Sequence, residues 1–177
     1  MNVYEPGQGR NAAALSITFM CGGFLNCMNQ DKKYMRQALK QAQCAQLMDE
    51  VPIGCVIVKN GKVIARAHNK REATNDPVGH AEILAIRKAS KKLADWQLVD
   101  CELYVTIEPC IMCAGAIIQS RIKRVVYGAP DSKGGAFGSS INVLTADNIN
   151  HRPEVVSGVL LEECTNIIKN YFKSKRK

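Results

Sequence analysis

The sequence predicts a single α/β domain in which helices cover both faces of a central β-sheet. Two observations support this fold class. Segments with helical and strand-like periodicity follow one another in the order α-β-β-α-β-α-β-β-α, which is typical of a sheet between helical layers. The chain has 177 residues, of which 46% are apolar and 23% charged, values ordinary for a globular domain that buries one core.

The first predicted helix begins at Asp31, which is expected to cap it, and carries an apolar stripe at three- and four-residue spacing. Two β-rich runs follow at residues 53–58 and 63–67. Asn60 and Gly61 lie between these runs, and Asn-Gly between two such runs is the strongest short-range signal for a β-hairpin.

The rest of the chain continues this alternation. The helix at residues 110–120 is apolar nearly all round, so we expect it to be buried. The segments after the hairpin are, in order, a polar loop (68–79), a helix (80–93), a strand (103–107), a helix (110–120), a strand (125–127), a glycine-rich loop (128–140), a short strand (155–156) and a helix (160–173).

Residues 1–27 are predicted to be a disordered extension ahead of one domain spanning residues 28–177. The Gly22-Gly23 pair would weaken a helix there. Only one base, Arg10, precedes the mildly apolar stretch, and Glu5 accompanies it, so the segment is a poor match to a secretion signal. No run of apolar residues is long enough to predict a membrane span.

The net charge is +8, and residues 1–27 contribute one base and one acid, so the positive balance belongs to the predicted domain. Such a balance suits a polyanionic partner, although an excess of lysine also occurs on an ordinary solvated surface. Of eight cysteines, only Cys110 and Cys113 have the spacing of metal ligands. The chain is too long to need a disulfide framework, so we expect a reducing, cytoplasmic location.

Two fragments carry the chemistry: His80-Ala81-Glu82, and Pro109-Cys110-Ile111-Met112-Cys113. Cysteines at i and i+3 share one helical face, so Cys110 and Cys113 can bind one zinc ion together with His80. Three protein ligands leave the fourth tetrahedral position to water, which is the arrangement of catalytic rather than structural zinc sites. We therefore expect one zinc per subunit.

Glu82 lies two residues from the predicted histidine ligand and is the candidate general acid–base. Zinc lowers the pKa of its water toward about 7, and Glu82 would accept the proton and return it to the substrate. A lone Cys-x-x-Cys is a buried helix pair about as often as a metal site, and a lone His-x-Glu is close to noise. Both together, each opening a predicted helix, favour a catalytic metal centre.

These fragments match the signature of the zinc deaminases. The chain closely resembles the bacterial tRNA adenosine deaminases from about Lys33 to its end. The resemblance rests on the segments Glu50-Val51-Pro52-Ile53-Gly54, His68-Asn69, Asp76-Pro77, His80-Ala81-Glu82-Ile83, residues 103–116 (LYVTIEPCIMCAGA), Ser120-Arg121-Ile122 and Tyr171-Phe172.

The resemblance implies the three-layer α/β/α cytidine-deaminase-like fold with a mixed five-stranded sheet, and a homodimer with active sites near the subunit interface. It also implies hydrolysis at C6 of the wobble adenosine in a tRNA anticodon loop, which yields inosine. Asn69 would hydrogen-bond the flipped nucleoside, and Asp131 would lie near the ribose of the preceding nucleotide. Tyr171 and Phe172, followed by a lysine-rich tail, would meet an unstacked base and the RNA backbone. The residues alone favour helix packing and a solvated tail, and only the resemblance implies the RNA contact.

The sequence is also compatible with two alternatives. A free-base deaminase acting on guanine or cytosine would share the fold and the metal signature, but it would not need a basic, aromatic C-terminus. A non-catalytic RNA-binding subunit could keep zinc as a structural ion, but it could also lose the glutamate, and Glu82 is present.

Overall fold

The structure is a computed structural model that describes residues 13–176, with side chains from residue 27 onward. The contacts divide the chain between Gln30 and Asp31. The helices are α1 (Ala13–Leu47), α2 (Arg71–Thr74), α3 (Ala81–Leu93), α4 (Ile111–Gln119) and α5 (Leu161–Lys175). The strands are β1 (Gly54–Lys59), β2 (Lys62–His68), β3 (Cys101–Ile107), β4 (Arg124–Ala129) and β5 (Glu154–Val156), and a 3-10 turn spans Val143–Thr145.

The five strands form one mixed sheet in the order β2-β1-β3-β4-β5. Strand β1 pairs antiparallel with β2 and β3, whereas β3, β4 and β5 run parallel. The predicted hairpin is confirmed, because Asn60 (φ 50°) and Gly61 (φ 71°) both adopt the left-handed conformation that a two-residue type I′ turn requires. The predicted α/β class with a mixed five-stranded sheet is likewise confirmed.

Alternate residues of each strand face opposite layers, as the two-residue period of a strand requires. Ile57, Leu103 and Val105 pack on one side with residues of α3 and α4. Val56, Val58 and Tyr104 pack on the other side with Tyr34, Met35 and Ala38 of α1 and with Cys164 of α5. The sheet is therefore covered on both faces, as the order of the segments predicts.

The start of the first helix differs from the prediction. Helix α1 begins at Ala13, so it runs through part of the segment predicted to be a disordered extension, and residues 1–12 of that segment lie outside the described residues. Asp31 is not a cap but lies within the helix, where its carboxylate accepts two hydrogen bonds of 2.8 Å from Arg124. The division into residues 1–27 and a domain of residues 28–177 stays a prediction.

Two further predictions need correction. The segment between β2 and α3, predicted as a loop, contains the single-turn helix α2. Helix α4 is buried on one side only, because Ile111 is 62% exposed and nothing lies within 4 Å of a Cβ built at Gly115. Its apolar composition therefore reflects an uncovered face as well as a core-facing one.

Across the part of the chain that the structure describes, no helix combines the length and the apolar character that a membrane crossing requires.

Candidate active site

The candidate site lies at one edge of the sheet, where β2 and β3 end and their following residues meet. Residues Asn69 and Glu108 come directly after these two strands, and Pro130 directly after β4, which runs parallel to β3. The carboxyl ends of β3 and β4 coincide, since Ile107 pairs with Ala129. This edge is where α/β proteins usually place their ligands.

Helices α3 and α4 both begin at this edge, and their first residues carry the predicted metal ligands. His80 and Cys110 hold the N-cap positions of α3 and α4 with extended backbones, and their side chains make no capping hydrogen bonds. Cys113 lies in the first turn of α4. The N-terminal ends of two helix dipoles therefore surround the cluster, and this favours thiolates there.

The three predicted ligands come together. One ligand atom from each of His80, Cys110 and Cys113 lies within 4.8 Å of the other two. Nδ1 of His80 is 3.7 Å from Sγ of Cys110 and 3.5 Å from Sγ of Cys113. Tetrahedral zinc, with Zn–S near 2.3 Å and Zn–N near 2.0 Å, would separate nitrogen and sulfur ligands by about 3.5 Å. The cluster therefore has the spacing and the donor set of a metal site.

The two thiols and the imidazole are hydrogen-bonded to one another and hold protons that a bound cation would displace. Hydrogen bonds, first from the Cys113 thiol and then from His80, lower the pKa of Cys110 to about 4. The pKa of Cys113 is raised, by its hydrogen bond to Cys110 and by burial. The hydrogen bond to Cys110 also raises the pKa of His80. A divalent cation binds thiolates and neutral imidazole, so its binding would release these protons.

Glu82 lies in the first turn of α3 and is 3% exposed. Burial raises the pKa of its carboxyl group. Its Oε2 atom is buried and makes no hydrogen bond to any described residue. A buried polar oxygen without a protein partner usually has a ligand or water for a partner, so Glu82 is placed to act on a bound molecule.

Asn69 and Asp131 reach the same sheet edge on separate elements. Asn69 is 3% exposed, and its side chain donates a 3.0 Å hydrogen bond to Oε2 of Glu50. Asp131 begins the loop after β4, and its Oδ1 accepts a 3.0 Å hydrogen bond from the backbone N–H of Lys133. Both predicted residues thus lie at the strand ends next to which α3 and α4 place the metal ligands.

A groove of about 620 Å³ lies between α5 and the loop after β4, and we call it the α5 groove. Ile53, Ile107 and Asp131 line its inner part, and Thr165 and Phe172 line its α5 side. An adjoining pocket of about 520 Å³ shares Phe172 and has a basic rim. Its lining residues are Lys133, Ile168, Lys169, Phe172, Lys173 and Arg176.

The two C-terminal aromatic residues have different environments. Phe172 is 46% exposed in the α5 groove, in keeping with its predicted contact to RNA. Tyr171 is buried, and its hydroxyl donates a 2.9 Å hydrogen bond to the carbonyl oxygen of Asp49. The structure therefore shows a packing role for Tyr171, and its predicted contact with a base stays a prediction.

The sequence analysis predicts no role for two buried carboxylates at this edge. Glu108 is 2% exposed, and its oxygens accept hydrogen bonds from the backbone N–H groups of Asp131, Phe137 and Ser139 at 2.9–3.1 Å. Glu50 is fully buried against Asn69 and the backbone of Ala73. The only sequence signal for Glu108 is its position directly before Pro109, and for Glu50 its place in the segment ahead of β1.

The chain is similar to proteins of known function. The family of MafB19-like deaminases matches residues 29–176. A tRNA-specific adenosine deaminase of Bacillus subtilis is 51% identical over 150 residues, which cover 85% of this chain and 93% of that protein.

Two solved structures are informative. One comes from a study of A-to-I editing by tRNA:A34 deaminases at the wobble position of transfer RNA. It is 45% identical with a TM-score of 0.75 and covers 76% of this chain and 98% of that one. A guanine deaminase from Bacillus subtilis is 35% identical with a TM-score of 0.53, covering 64% of this chain and 83% of that one.

Proposed function

This chain belongs to the MafB19-like deaminases and, with its curated relatives, to the tRNA-specific adenosine deaminases, and we propose that it hydrolyses the wobble adenosine of a tRNA to inosine. The observation that carries the reaction type is the cluster of His80, Cys110 and Cys113 beside a buried glutamate with an unpartnered oxygen. Such a set suits hydrolysis by a metal-activated water with a carboxylate proton carrier.

We assign one zinc ion to His80, Cys110 and Cys113. Zinc held there supplies a Lewis acid and a water acidic enough to lose a proton near neutral pH. Glu82 would take one proton from the attacking water as the water oxygen bonds to C6 of adenine, and pass that proton to the ring nitrogen. It would then carry the remaining hydroxyl proton to the departing amine, so that the C=O bond forms, the C6–N bond breaks and ammonia leaves.

The α5 groove supports RNA as the substrate. Lys133, Lys169 and Phe172 line both this groove and the adjoining pocket, and Lys173 and Arg176 extend the basic rim along that pocket. A positive groove with an aromatic side chain is the usual means of binding single-stranded nucleic acid. Asn69 would hydrogen-bond the flipped nucleoside, Asp131 would contact the ribose of the preceding nucleotide, and Phe172 would stack on a neighbouring base, with Tyr171 anchoring the helix beneath it.

The decisive assay compares inosine formation on an anticodon stem-loop with deamination of free adenosine, guanine and cytosine. We expect conversion of the stem-loop and little or no conversion of the free compounds. Rapid conversion of guanine or cytosine with an untouched stem-loop would identify a free-base deaminase instead, a reaction that the 35% identical guanine deaminase makes the second candidate.

We also propose that the enzyme is a cytoplasmic homodimer, since tRNA and reduced thiolate ligands share that compartment. The uncovered face of α4, with Ile111 and Gly115, supports an interface directly beside Cys110. A Gly115→Asp substitution meets no atom within 4 Å of the added Cβ, so it should leave the monomer folded while placing a charge on this face. Light scattering should then report a monomer, whereas an unchanged mass would exclude this face as the interface.

A further inference from the structure

Glu50 is a fully buried carboxylate next to the candidate site, and the reaction described above does not use it. It follows α1, and its backbone N–H donates a 3.0 Å hydrogen bond to the carbonyl oxygen of Ala45. A buried carboxylate is costly unless hydrogen bonds compensate the loss of solvent. The hydrogen-bond partners of Glu50 therefore indicate its role.

Each oxygen of Glu50 has one defined donor. Oε1 accepts a 2.7 Å hydrogen bond from the backbone N–H of Ala73, in α2. Oε2 accepts a 3.0 Å hydrogen bond from Nδ2 of Asn69. The backbone N–H of Asn69 is itself fixed at 3.0 Å from the carbonyl oxygen of Ile53, so the side chain starts from a rigid position.

This pairing determines which way the Asn69 amide faces. An ionised carboxylate only accepts hydrogen bonds, whereas an amide group has a donor side and an acceptor side. The NH2 group of Asn69 must therefore point toward Glu50, which leaves Oδ1 on the other side. No residue in the described part of the chain donates a hydrogen bond to that oxygen.

We propose that Glu50 is a positioning residue that orients the Asn69 amide, so that Oδ1 is presented as an acceptor to a hydrogen-bond donor of the bound nucleoside. The proposal rests on the proposed function, because it takes a nucleoside as the ligand that Asn69 meets. Glu50 acts through Asn69 and does not itself contact the substrate.

The Glu50→Gln variant should invert the amide without removing the buried contacts. A glutamine at this position has one acceptor and one donor, and the backbone N–H of Ala73 can only donate. The glutamine oxygen should therefore stay on Ala73, and its NH2 group should face residue 69. Asn69 can then satisfy it only by turning Oδ1 toward residue 50 and its own NH2 toward the substrate.

A second substitution should restore the acceptor. In Asn69→Asp alone, two carboxylates face each other at hydrogen-bond distance, which is unfavourable. Combined with Glu50→Gln, the glutamine NH2 donates to one oxygen of the aspartate, and the other oxygen faces the substrate as an acceptor. The double variant therefore tests orientation separately from the chemical identity of either residue.

The experiment measures kcat and KM on an anticodon stem-loop for wild type, both single variants and the Glu50→Gln/Asn69→Asp double variant. We expect kcat/KM to fall about 10- to 100-fold in each single variant, as for one misplaced buried hydrogen-bonding group, and to recover most of that loss in the double variant. Glu102→Gln is the matched control, since Glu102 lies in β3 and accepts hydrogen bonds from Tyr104 and Arg124. It should keep wild-type kcat/KM.

Three further measurements keep the proposal falsifiable. In an Asn69→Ala background, Glu50→Gln should have no further effect on kcat/KM, whereas an independent structural role would lower it again. Zinc content should stay unchanged throughout. The side-chain NH2 resonances of Asn69, assigned by their loss in Asn69→Asp, should shift in Glu50→Gln without any substrate present.

The outcomes separate this proposal from the proposed function. Unshifted Asn69 resonances, wild-type kcat/KM in Glu50→Gln, or no recovery in the double variant would overturn the role of Glu50. If wild type converts no stem-loop, the proposed function fails, and the resonance shift still reports whether Glu50 orients the amide.

Discussion

Glu50, Glu82 and Glu108 are all buried carboxylates at the same sheet edge, yet their partners give them different roles. Glu50 and Glu108 have hydrogen-bond donors at both oxygens, whereas Oε2 of Glu82 has none in the described chain. Sequence spacing predicts Glu82 because it is two residues from His80. It cannot predict the other two roles, because their partners lie 19 to 31 residues away and meet them only after folding.

A Glu82→Gln substitution should separate catalysis from folding. The change keeps the volume of a side chain that makes no hydrogen bond at Oε2, so the protein should fold and retain its zinc. Loss of the proton carrier should lower kcat by roughly 10²- to 10⁴-fold. Metal analysis and single-turnover inosine assays check both parts. A kcat within tenfold of wild type would show that another group carries the protons.

The Cys113→Ala substitution should remove both metal and stability. Cys113 is buried, and its Sγ lies 3.5 Å from Nδ1 of His80, so its loss opens the cluster. Because bound metal contributes to folding, zinc content and thermal midpoint should fall together. Cys164→Ala is the matched control, since Cys164 is equally buried and packs on the opposite side of the sheet from α4. Full zinc occupancy in Cys113→Ala would contradict its assignment as a ligand.

At the scale of elements, periodicity predicts the helices and strands that face the core well. It is wrong where contacts with residues far away in sequence determine the role of a side chain. Asp31 has the sequence context of a helix cap, but its partner Arg124 lies 93 residues away, and the pair holds the helix against β4. Tyr171 and Phe172 are adjacent aromatics on α5, and only the packing shows that the first is buried against Asp49 and the second faces the groove.

The loop after β4 should depend on Glu108. Burial tends to raise the pKa of Glu108, but hydrogen bonds from Ser139, Asp131 and Phe137 outweigh it and hold the pKa below 4.5. Since the folded pKa is depressed, this stabilisation is complete above the unfolded pKa and is lost as pH falls through the folded one. Glu108→Gln leaves at least one N–H without an acceptor, which costs about 1–3 kcal/mol at pH 7.

Urea unfolding checks this prediction at two pH values with the same added zinc. The difference in unfolding free energy between wild type and Glu108→Gln should be clear at pH 7 and should shrink as pH falls below the ordinary glutamate pKa of 4.5. A difference that is constant with pH would mean that the charge of Glu108 contributes nothing.

Helix α5 should show separate effects of its two aromatic residues. Phe172→Ala removes an exposed ring, so it should weaken RNA binding by about 1–3 kcal/mol, the usual value of one base–aromatic stack, with little change in thermal midpoint. Tyr171→Phe removes only the hydroxyl that donates to Asp49, so it should lower stability by about 1 kcal/mol and leave RNA binding intact. Binding titrations and thermal melts of both variants check these effects. Weaker RNA binding in Tyr171→Phe with unchanged binding in Phe172→Ala would contradict the two roles.

At the scale of the molecule, the order of segments predicts a sheet between helical layers, and the family resemblance predicts its mixed five-stranded form. Neither shows how the charge of +8 is distributed. Helix α5 follows β5, and its Lys169 lines the α5 groove together with Ile107 and Asp131, at the carboxyl ends of β3 and β4. From the sequence alone, this positive charge suits either a polyanionic partner or a solvated surface. The fold shows that part of it lies around one groove.

The salt dependence of RNA turnover should report this concentration of charge. Binding of single-stranded nucleic acid weakens with salt with a log–log slope of about −0.7 per neutralised phosphate, because bound counterions are released. If the four cations that line the adjoining pocket each meet one phosphate, they contribute a slope of about −3 to the salt dependence of kcat/KM. Replacing Lys169 and Lys173 with Gln should make the slope shallower by about 1.4.

Lys91 and Lys92 provide the matched control, since they lie in the last turn of α3, at the opposite end from His80. Their replacement with Gln should leave the slope unchanged, and equal effects of the two pairs would mean that the RNA senses net charge and not the groove.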